Sequence, residues 1–268
     1  MGNHPIQALG AVWPYRRFIA QLFKRDFRAR YAGSLLGIFW NVIHPLMMIL
    51  IYTLIFSQIL KMKLPSTSSV YGYSIYLCSG IMFWNLFTET MSRGSTMFIE
   101  HGIMIKKVFF PKMVIPMFLH LSASVTLFIT LGIFLIFCIL VGHPISWFWF
   151  LGLPGLILFL IFSFGLSLFI GTLNVYLRDI QQLIGVVLHI WFWFTPIVYM
   201  AELIPERFRD LALLNPLYVF MVLFRGAFYN NELVSPKYWL IAGGYSIAAL
   251  LVGLWFFTRH ERAIVDYV

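Results

Sequence analysis

The side chains that perform chemistry in enzymes are sparse in this chain of 268 residues, which has ten aspartates and glutamates, seven histidines and two cysteines. No lysine follows a glycine, so the Gly-Lys pair that ends a nucleotide-binding P-loop is missing. No histidines have metal-ligand spacing, no HExxH pattern occurs, and no serine stands in a GxSxG elbow. The sequence therefore predicts no catalytic residue, no metal site and no cofactor in this chain.

Three histidines, His44, His120 and His189, lie in long apolar stretches, and we interpret them as hydrogen-bonded packing residues. The same stretches hold no Asp or Glu, which argues against a proton-coupled carboxylate relay. Cys78 and Cys138 also lie in apolar stretches. We interpret these cysteines as small apolar side chains rather than as a disulfide.

The elements that carry these residues are defined by where charge is missing. Only 11% of the residues are charged and 61% are hydrophobic, whereas a soluble domain has about 25% charged residues. Six charge-free stretches are close to the roughly 20 residues with which a helix crosses a bilayer. The predicted fold is an all-α integral membrane protein with six transmembrane helices, at about 38–60, 70–92, 113–141, 147–173, 183–200 and 238–257.

Lysine and arginine are unequally divided between the two ends of these spans. One side has thirteen: Arg16, Arg17, Lys24, Arg25, Arg28, Arg30, Arg93, Lys106, Lys107, Lys112, Arg178, Arg259 and Arg262. The other side has six: Lys61, Lys63, Arg207, Arg209, Arg225 and Lys237. The positive-inside rule places the richer side, and with it both termini, in the cytoplasm. The net charge of +9 is thus mainly a topology signal, and we expect no nucleic-acid partner.

Residues 1–37 form a predicted cytoplasmic amino-terminal segment, and 38–268 a single transmembrane domain. Within the first, 15–31 places Arg17, Gln21, Lys24, Arg25 and Arg28 on one arc of a helix. The apolar residues Phe18, Ile19, Leu22, Phe23, Phe27 and Tyr31 occupy much of the remainder. This pattern favours a helix lying in the membrane interface, although Arg16, Asp26 and Arg30 interrupt the faces. A solvated basic stem remains the alternative.

Two further segments are too short or too polar to span. In 93–112, the residues Met97, Phe98, Met104, Ile105 and Val108 give a short amphipathic helix one apolar side, which leaves Glu100, His101, Lys106 and Lys107 for water or a partner. That helix would rest on the membrane or press on another protein. At its start, Glu89 is spaced to pair with Arg93 at i+4.

The second segment, at about 202–232, contains an apolar run from 217 to 228 that would be only about 18 Å long as a helix. It also contains Arg225 and follows the Asn215–Pro216 break. A re-entrant or interfacial hairpin fits this pattern. A buried cap with no role in transport is the alternative.

Seven segments, in order along the chain, resemble the membrane subunit of ABC-2-type exporters, in the branch that exports bacterial O-antigen, capsule and teichoic acid. They are RDFRARYAGSLLGIFWNVIHPL (25–46), SGIMFWNLFTETMSRG (79–94), IKKVFFPKMVIP (105–116), NVYLRDIQQL (174–183), FWFTPIVY (192–199), LNPLYVFMVLFRGAF (214–228) and RHERAIVDYV (259–268).

The resemblance implies a homodimer in the bacterial inner membrane, with two copies of a separate ATPase that bind ATP and Mg and dock below. It implies ATPase coupling by Glu100, His101, Lys106 and Lys107, and a path along spans one and five lined by Phe39, Trp40, Tyr52, Phe56, Trp191, Trp193 and Tyr199. It also implies periplasmic gate helices at 202–232, with Asn215, Pro216, Tyr218, Phe224 and Arg225.

A lipid-linked, O-antigen-type polysaccharide is the substrate that this resemblance implies. Aromatic, uncharged side chains along the path suit such a cargo, because they stack on sugar rings and tolerate sliding, whereas fixed charges would bind more selectively. The alternatives are an ABC-2 permease for a drug or a lipid and, from another class, an intramembrane glycosyl- or acyltransferase.

Overall fold

The computed structural model describes residues 10–30, 32–60 and 69–268, without the side chains of Ile38, Glu202 and Arg209. The sequence-based assignments of Tyr31, Lys61 and Lys63 therefore lie outside the described residues. The regular secondary structure in these ranges is all helical, and they contain no strand. The helices are α1 (Arg16–Ala29), α2 (Trp40–Tyr52), α3 (Gly72–Glu100), α4 (Gly102–Lys107), α5 (Val114–Leu140), α6 (Phe148–Tyr176), α7 (Ile180–Phe194), α8 (Glu206–Ala212), α9 (Pro216–Arg225) and α10 (Pro236–Tyr267). Helix α2 continues as a π-helical turn at Thr53–Ile59, and α9 as one at Gly226–Asn230.

Four helices of the described chain are long and apolar enough to cross a membrane: α2 with its π-helical turn, α5, α6 and α10. A fifth is reached if α8 and the α9 helix, which meet at a bend of 101°, count as one broken span. This supports a multi-pass, all-helical membrane protein. The two other predicted spans differ from these four, because α3 is less apolar and α7 has only 15 residues.

Helix α3 is polar because most of its surface is covered by protein. From Gly72 to Phe87 it is buried at almost every position, including Ser74 and Ser79. The Ser74 hydroxyl is 2.7 Å from that of Ser57, in the π-helical turn after α2. A buried polar group costs little when it is hydrogen-bonded. The low apolarity of α3 therefore fits an interior position in the bundle.

Helices α3, α6 and α10 form the centre of the bundle through direct backbone contact. A β-carbon at Gly253 of α10 would lie 2.2 Å from the Gly165 carbonyl oxygen of α6, and one at Gly171 would lie 2.3 Å from the Gly94 carbonyl oxygen of α3. Real side chains do not approach this closely. Glycine is therefore required there, as is common where membrane helices touch.

The amino-terminal helix is amphipathic, as the sequence predicts. Leu22 is buried, and Phe18 makes an edge contact with Phe110 at 5.5 Å. Arg25 and Arg28 remain at the outer face. Helix α1 thus lies along the bundle with its apolar side against the protein, in addition to any contact with lipid.

The prediction of one amphipathic helix across 93–112 is wrong in its boundaries. Helix α3 continues to Glu100, and it buries Met97 and Phe98 inside the protein. The separate helix is α4, with six residues, and the chain is extended after Lys107. The long α3 is possible because its last turns pack on α5, α6 and α10, so that its polar residues need not lie in lipid. Cys78 and Cys138 are both buried and free, as expected.

Candidate translocation path and coupling surface

Four charged side chains meet where α1 crosses α3, at the end of the protein that is rich in Lys and Arg. Arg93 contacts Asp26 at 2.5 Å and Glu89 at 3.4 Å, and Arg30 contacts Glu89 at 2.7 Å and Asp26 at 3.4 Å. Ser122 of α5 donates to Asp26 at 2.7 Å and accepts from Arg30 at 2.9 Å. We call these five residues the charged cluster.

The charged cluster fastens the amino-terminal segment to the transmembrane domain. Its two cations and two anions alternate, so each partly buried charge has two opposite neighbours, which compensates for lost hydration. The predicted Glu89–Arg93 pair is confirmed. Sequence reasoning missed Asp26 and Arg30 as its partners. The signal was present, because these two residues interrupt the apolar face of α1.

A cavity of 280 Å³ opens beside the charged cluster, between α2, α3 and α5. Two of the predicted path residues, Trp40 and Tyr52, line it together with Arg30 and Glu89. Phe39, just before α2, is exposed instead. The cavity therefore joins the first half of the predicted path to the cluster.

The end of α7 is fastened to the start of α9 by Asn215. The Trp191 indole donates to the Asn215 side-chain oxygen at 2.9 Å, and that oxygen also accepts from the Leu217 backbone at 3.1 Å. The Asn215 amide donates to the Phe194 carbonyl at 3.2 Å and to the Thr195 hydroxyl at 3.1 Å. Asn215 is thus the N-cap of α9, followed by Pro216 at its first position, which is the usual start of a helix.

Each of the four carbonyl groups in segment 196–199, after α7, accepts a hydrogen bond from a side chain of another helix. Arg225 of α9 donates to the first at 2.5 Å and to the second at 2.8 Å. Tyr73 of α3 donates to the third, and Tyr76 donates to the fourth at 3.0 Å. The Arg225 guanidinium also lies 3.6 Å from the Tyr76 ring centre, a cation–π distance. We call this arrangement the carbonyl clamp.

The remaining path residues lie on either side of Tyr73. Phe56 packs on the Tyr73 ring at 5.0 Å, and Tyr52 packs on Phe56 at 6.3 Å. On the other side, the Tyr199 hydroxyl donates to the Trp193 carbonyl at 3.1 Å, and the Trp193 side chain is 65% exposed. The α2 residues and the α7 residues therefore meet through the carbonyl clamp.

Three of the five predicted gate residues are buried, whereas Asn215 and Pro216 are partly buried. Phe224 is fully buried and stacks on Phe83 of α3, with ring centres 3.5 Å apart. It therefore packs inside the protomer, and its assignment to the gate stays a prediction. Tyr218 and Arg225 are also buried. Phe159 of α6 is fully buried as well.

The predicted coupling residues lie just before α4 and at its end. Glu100, Lys106 and Lys107 are exposed, whereas His101 is partly buried and its Nδ1 lies 2.8 Å from the Met97 carbonyl. Sequence reasoning missed the apolar side chains at this tip, of which Phe109 is 99% exposed and Ile103 is 74% exposed. We call Ile103, Lys106, Lys107, Val108 and Phe109 the cytoplasmic tip, because the distribution of Lys and Arg predicts that this end faces the cytoplasm.

No group of three His, Cys, Asp or Glu side chains among the described residues is placed to hold a metal ion. The arrangement is instead that of a helical bundle. The charged cluster joins α1 to it, a cavity lies between α2, α3 and α5, and the carbonyl clamp fixes residues 196–199.

Comparison with known proteins agrees with this architecture. The profile of the family described as ABC-2 type transporter matches residues 17–229. The chain is 30% identical over 236 residues, 88% of each chain, to an O-antigen export system permease protein RfbA of Klebsiella pneumoniae. It is 25% identical over 247 residues (91% of this chain, 93% of the relative) to RfbA of Myxococcus xanthus. It is 23% identical over 255 residues (92% and 95%) to the polysialic acid transport protein KpsM of Escherichia coli. The chain therefore belongs to the ABC-2 type transporter family.

Proposed function

We propose that this chain is the membrane-spanning permease subunit of an ATP-driven exporter that moves an O-antigen-type polysaccharide, carried on a lipid, across the bacterial inner membrane. The observation that carries the proposal is the similarity, over 88% of the chain, to a protein named as an O-antigen export permease. A second relative with that name is similar over 91% of the chain.

The proposed topology has six spans with both termini in the cytoplasm. Helices α3 and α7 complete the set with the four apolar helices. The 29 residues of α3 reach about 43 Å as a helix, so it crosses the bilayer and continues into the cytoplasm. Helix α7 is shorter, and the clamped segment 196–199 completes its passage to the outer side. The hairpin of α8 and α9 then lies at the outer surface.

A second copy of the chain is proposed to complete the path. Helices α2 and α7 present many exposed apolar side chains, among them Leu50, Leu54, Val186, Ile190 and Trp193. Such surfaces in a membrane protein face lipid or another subunit. The proposed path runs between the two copies along these helices, and the exposed Trp193 offers an aromatic face to passing sugar rings.

The ATPase is proposed to be a separate polypeptide that binds ATP and Mg. The missing Gly-Lys pair supports this division of labour. The cytoplasmic tip supplies the docking surface, because it combines exposed apolar side chains with two lysines. Buried apolar anchors with a charged rim are typical of protein interfaces.

Deletion of the chain from its own bacterium tests the function. We expect surface polysaccharide to be lost, lipid-linked polysaccharide to accumulate inside the cell, and both effects to be reversed by the full chain supplied in trans. The matched control is the chain with Gly253→Ala, whose added methyl would lie 2.2 Å from the Gly165 carbonyl oxygen. This chain should not restore surface polysaccharide. Normal surface polysaccharide in the deletion strain would contradict the proposal.

A further inference from the structure

A second cavity lies at the opposite end of the protomer from the charged cluster. It has a volume of 730 Å³, within the range of about 300–1,000 Å³ that is typical of small-molecule sites. It is bounded by the start of α3, the loop between α5 and α6, and the region from α9 to the start of α10. We call it the outer cavity, because the distribution of Lys and Arg places this end away from the cytoplasm.

Four tyrosines line the outer cavity: Tyr76, Tyr218, Tyr229 and Tyr238. Tyr76 and Tyr229 meet edge to face at 5.5 Å, and the His143 ring lies parallel to Tyr229 at 6.3 Å. Tyrosine combines an apolar ring face with a hydroxyl at its edge. A wall of this kind suits a ligand that has apolar C–H faces and a rim of hydroxyl groups.

The loop after the π-helical turn of α9 adds hydrogen-bonding groups and is itself held in place. The Asn230 amide donates to the Glu232 carboxylate at 2.6 Å. Asn231, in the left-handed region with φ 54°, donates to the Pro144 carbonyl at 2.9 Å and accepts from Ser146 at 2.8 Å. Amide and carboxylate groups on a fixed loop are the polar complement expected of a specific site.

The charges around the outer cavity favour a neutral ligand. Its lining includes one basic side chain, Arg225, and one acidic side chain, Glu232. The Arg225 guanidinium is directed to the carbonyl clamp and the Tyr76 ring. Burial lowers the pKa of His143, which keeps its ring neutral at neutral pH. A phosphate or a carboxylate would find no net positive charge here.

We propose that the outer cavity of each protomer binds one or two neutral sugar rings of the exported glycan as they leave the path, with a ring face on Tyr238 and hydroxyl groups on Asn230 and Glu232. This site rests on the export function proposed above and adds to it an exit subsite within the protomer. The cavity adjoins the predicted gate, because Tyr218 and Arg225 belong both to that gate and to the cavity wall.

Equilibrium binding tests the outer cavity. The probe is the surface polysaccharide of the same bacterium, released from its lipid by mild acid, and the protein is the full chain purified from membranes with its associated subunits. We expect Tyr238→Ala to weaken binding at least about tenfold, the change that corresponds to about 1.4 kcal/mol. Tyr238→Phe, which keeps the ring, should weaken it much less. Tyr267→Ala, at the other end of α10 and exposed, is the matched control and should bind as the parent chain does.

Asn230→Ala provides a second variant whose folding is not at risk, because Asn230 is exposed. It should also weaken binding. Unchanged binding by both Tyr238→Ala and Asn230→Ala, or no binding by the parent chain, would overturn the site. The deletion strain separates this result from the export function. If deletion of the chain abolishes surface glycan but the cavity variants bind normally, the subsite is contradicted and the export function is supported. If binding depends on Tyr238 but deletion leaves surface glycan intact, the export function alone is contradicted.

Discussion

Arg93 of α3 and Asp26 of α1 are 67 residues apart in sequence, and their side chains meet at 2.5 Å. This contact joins α1, which lies along the bundle, to α3, which is buried over most of its length. Glu89 and Arg30 complete the alternation of charge, so the loss of any one member leaves an unbalanced, partly buried charge. The first prediction follows from that balance.

Asp26→Ala and Arg93→Ala should each destabilise the protein, by about 1–3 kcal/mol, because a partner charge loses its counter-ion and its hydrogen bond. The double variant should lose less than the sum, with a coupling of about 0.5–3 kcal/mol. Thermal unfolding of the purified chain in detergent measures both. Glu100→Ala, exposed at the end of the same α3, is the control and should have little effect. Strictly additive losses would show that the two side chains do not interact.

Gly253→Ala should strongly reduce the amount of folded protein. The added methyl would lie 2.2 Å from the Gly165 carbonyl oxygen, so α6 and α10 would have to separate. Gly244→Ala, on the same α10 with nothing within 4 Å of the new methyl, is the matched control. Protein levels in membranes and resistance to proteolysis report the difference. Equal levels for the two variants would contradict the direct contact of these helices.

Trp193→Ala should reduce surface polysaccharide while protein level and ATPase association stay normal. Trp193 is 65% exposed, so its ring can be removed with little effect on packing. Phe159→Ala is the contrasting change. Phe159 is fully buried, and the cavity left behind should cost about 3–5 kcal/mol and lower the protein level. Full export by Trp193→Ala at normal protein level would show that the path does not pass α7 at this point.

Phe109→Ala and Ile103→Ala should weaken the association with the ATPase by at least about tenfold, as expected for an interface anchor that contributes more than about 1.4 kcal/mol. Both side chains are largely exposed, so the permease itself should remain folded. Trp147→Ala removes an aromatic side chain that is 73% exposed and lies far from this tip, and it should leave association unchanged. A crosslink between the two subunits gives a second measurement, with one cysteine on the ATPase and the other at the exposed Lys106 or Phe109 of this chain. His101 is less suitable because it is partly buried. Normal copurification of the Phe109→Ala variant would exclude this tip as the docking surface.

Arg225→Lys should loosen the carbonyl clamp. A lysine ammonium does not reproduce the two fixed donors with which arginine holds neighbouring carbonyls. Hydrogen exchange at the amides of 197–200 should therefore become faster by a factor of about 5–150, for a loss of about 1–3 kcal/mol in local stability. Tyr245→Phe removes a single hydroxyl bond to the Leu213 carbonyl outside the clamp and should leave this segment protected. An unchanged exchange rate in Arg225→Lys would show that the clamp does not hold the segment.

The helices were largely predictable, because charge-free runs and breaks such as Asn215–Pro216 are local properties of the sequence. The end of α3 was not, since its polar residues are tolerated only through contacts with α5, α6 and α10. The carbonyl clamp was out of reach for the same reason, and so was the pairing of Asp26 and Arg30 with Arg93 and Glu89 in the charged cluster. Their partners are far apart in the chain, as Tyr73 and Val198 are by 125 residues, and no spacing rule relates them.

A segment whose four consecutive carbonyls all accept side-chain hydrogen bonds moves as a rigid unit rather than as a flexible hinge. Residues 196–199 are gripped by α3 through Tyr73 and Tyr76 and by α9 through Arg225. Asn215, at the start of α9, also donates hydrogen bonds to Phe194 and Thr195 at the end of α7. A displacement of α7 therefore displaces α9 as well. In the topology proposed above, a shift of α7 that begins on the cytoplasmic side would therefore move the hairpin of α8 and α9 on the outer side with it.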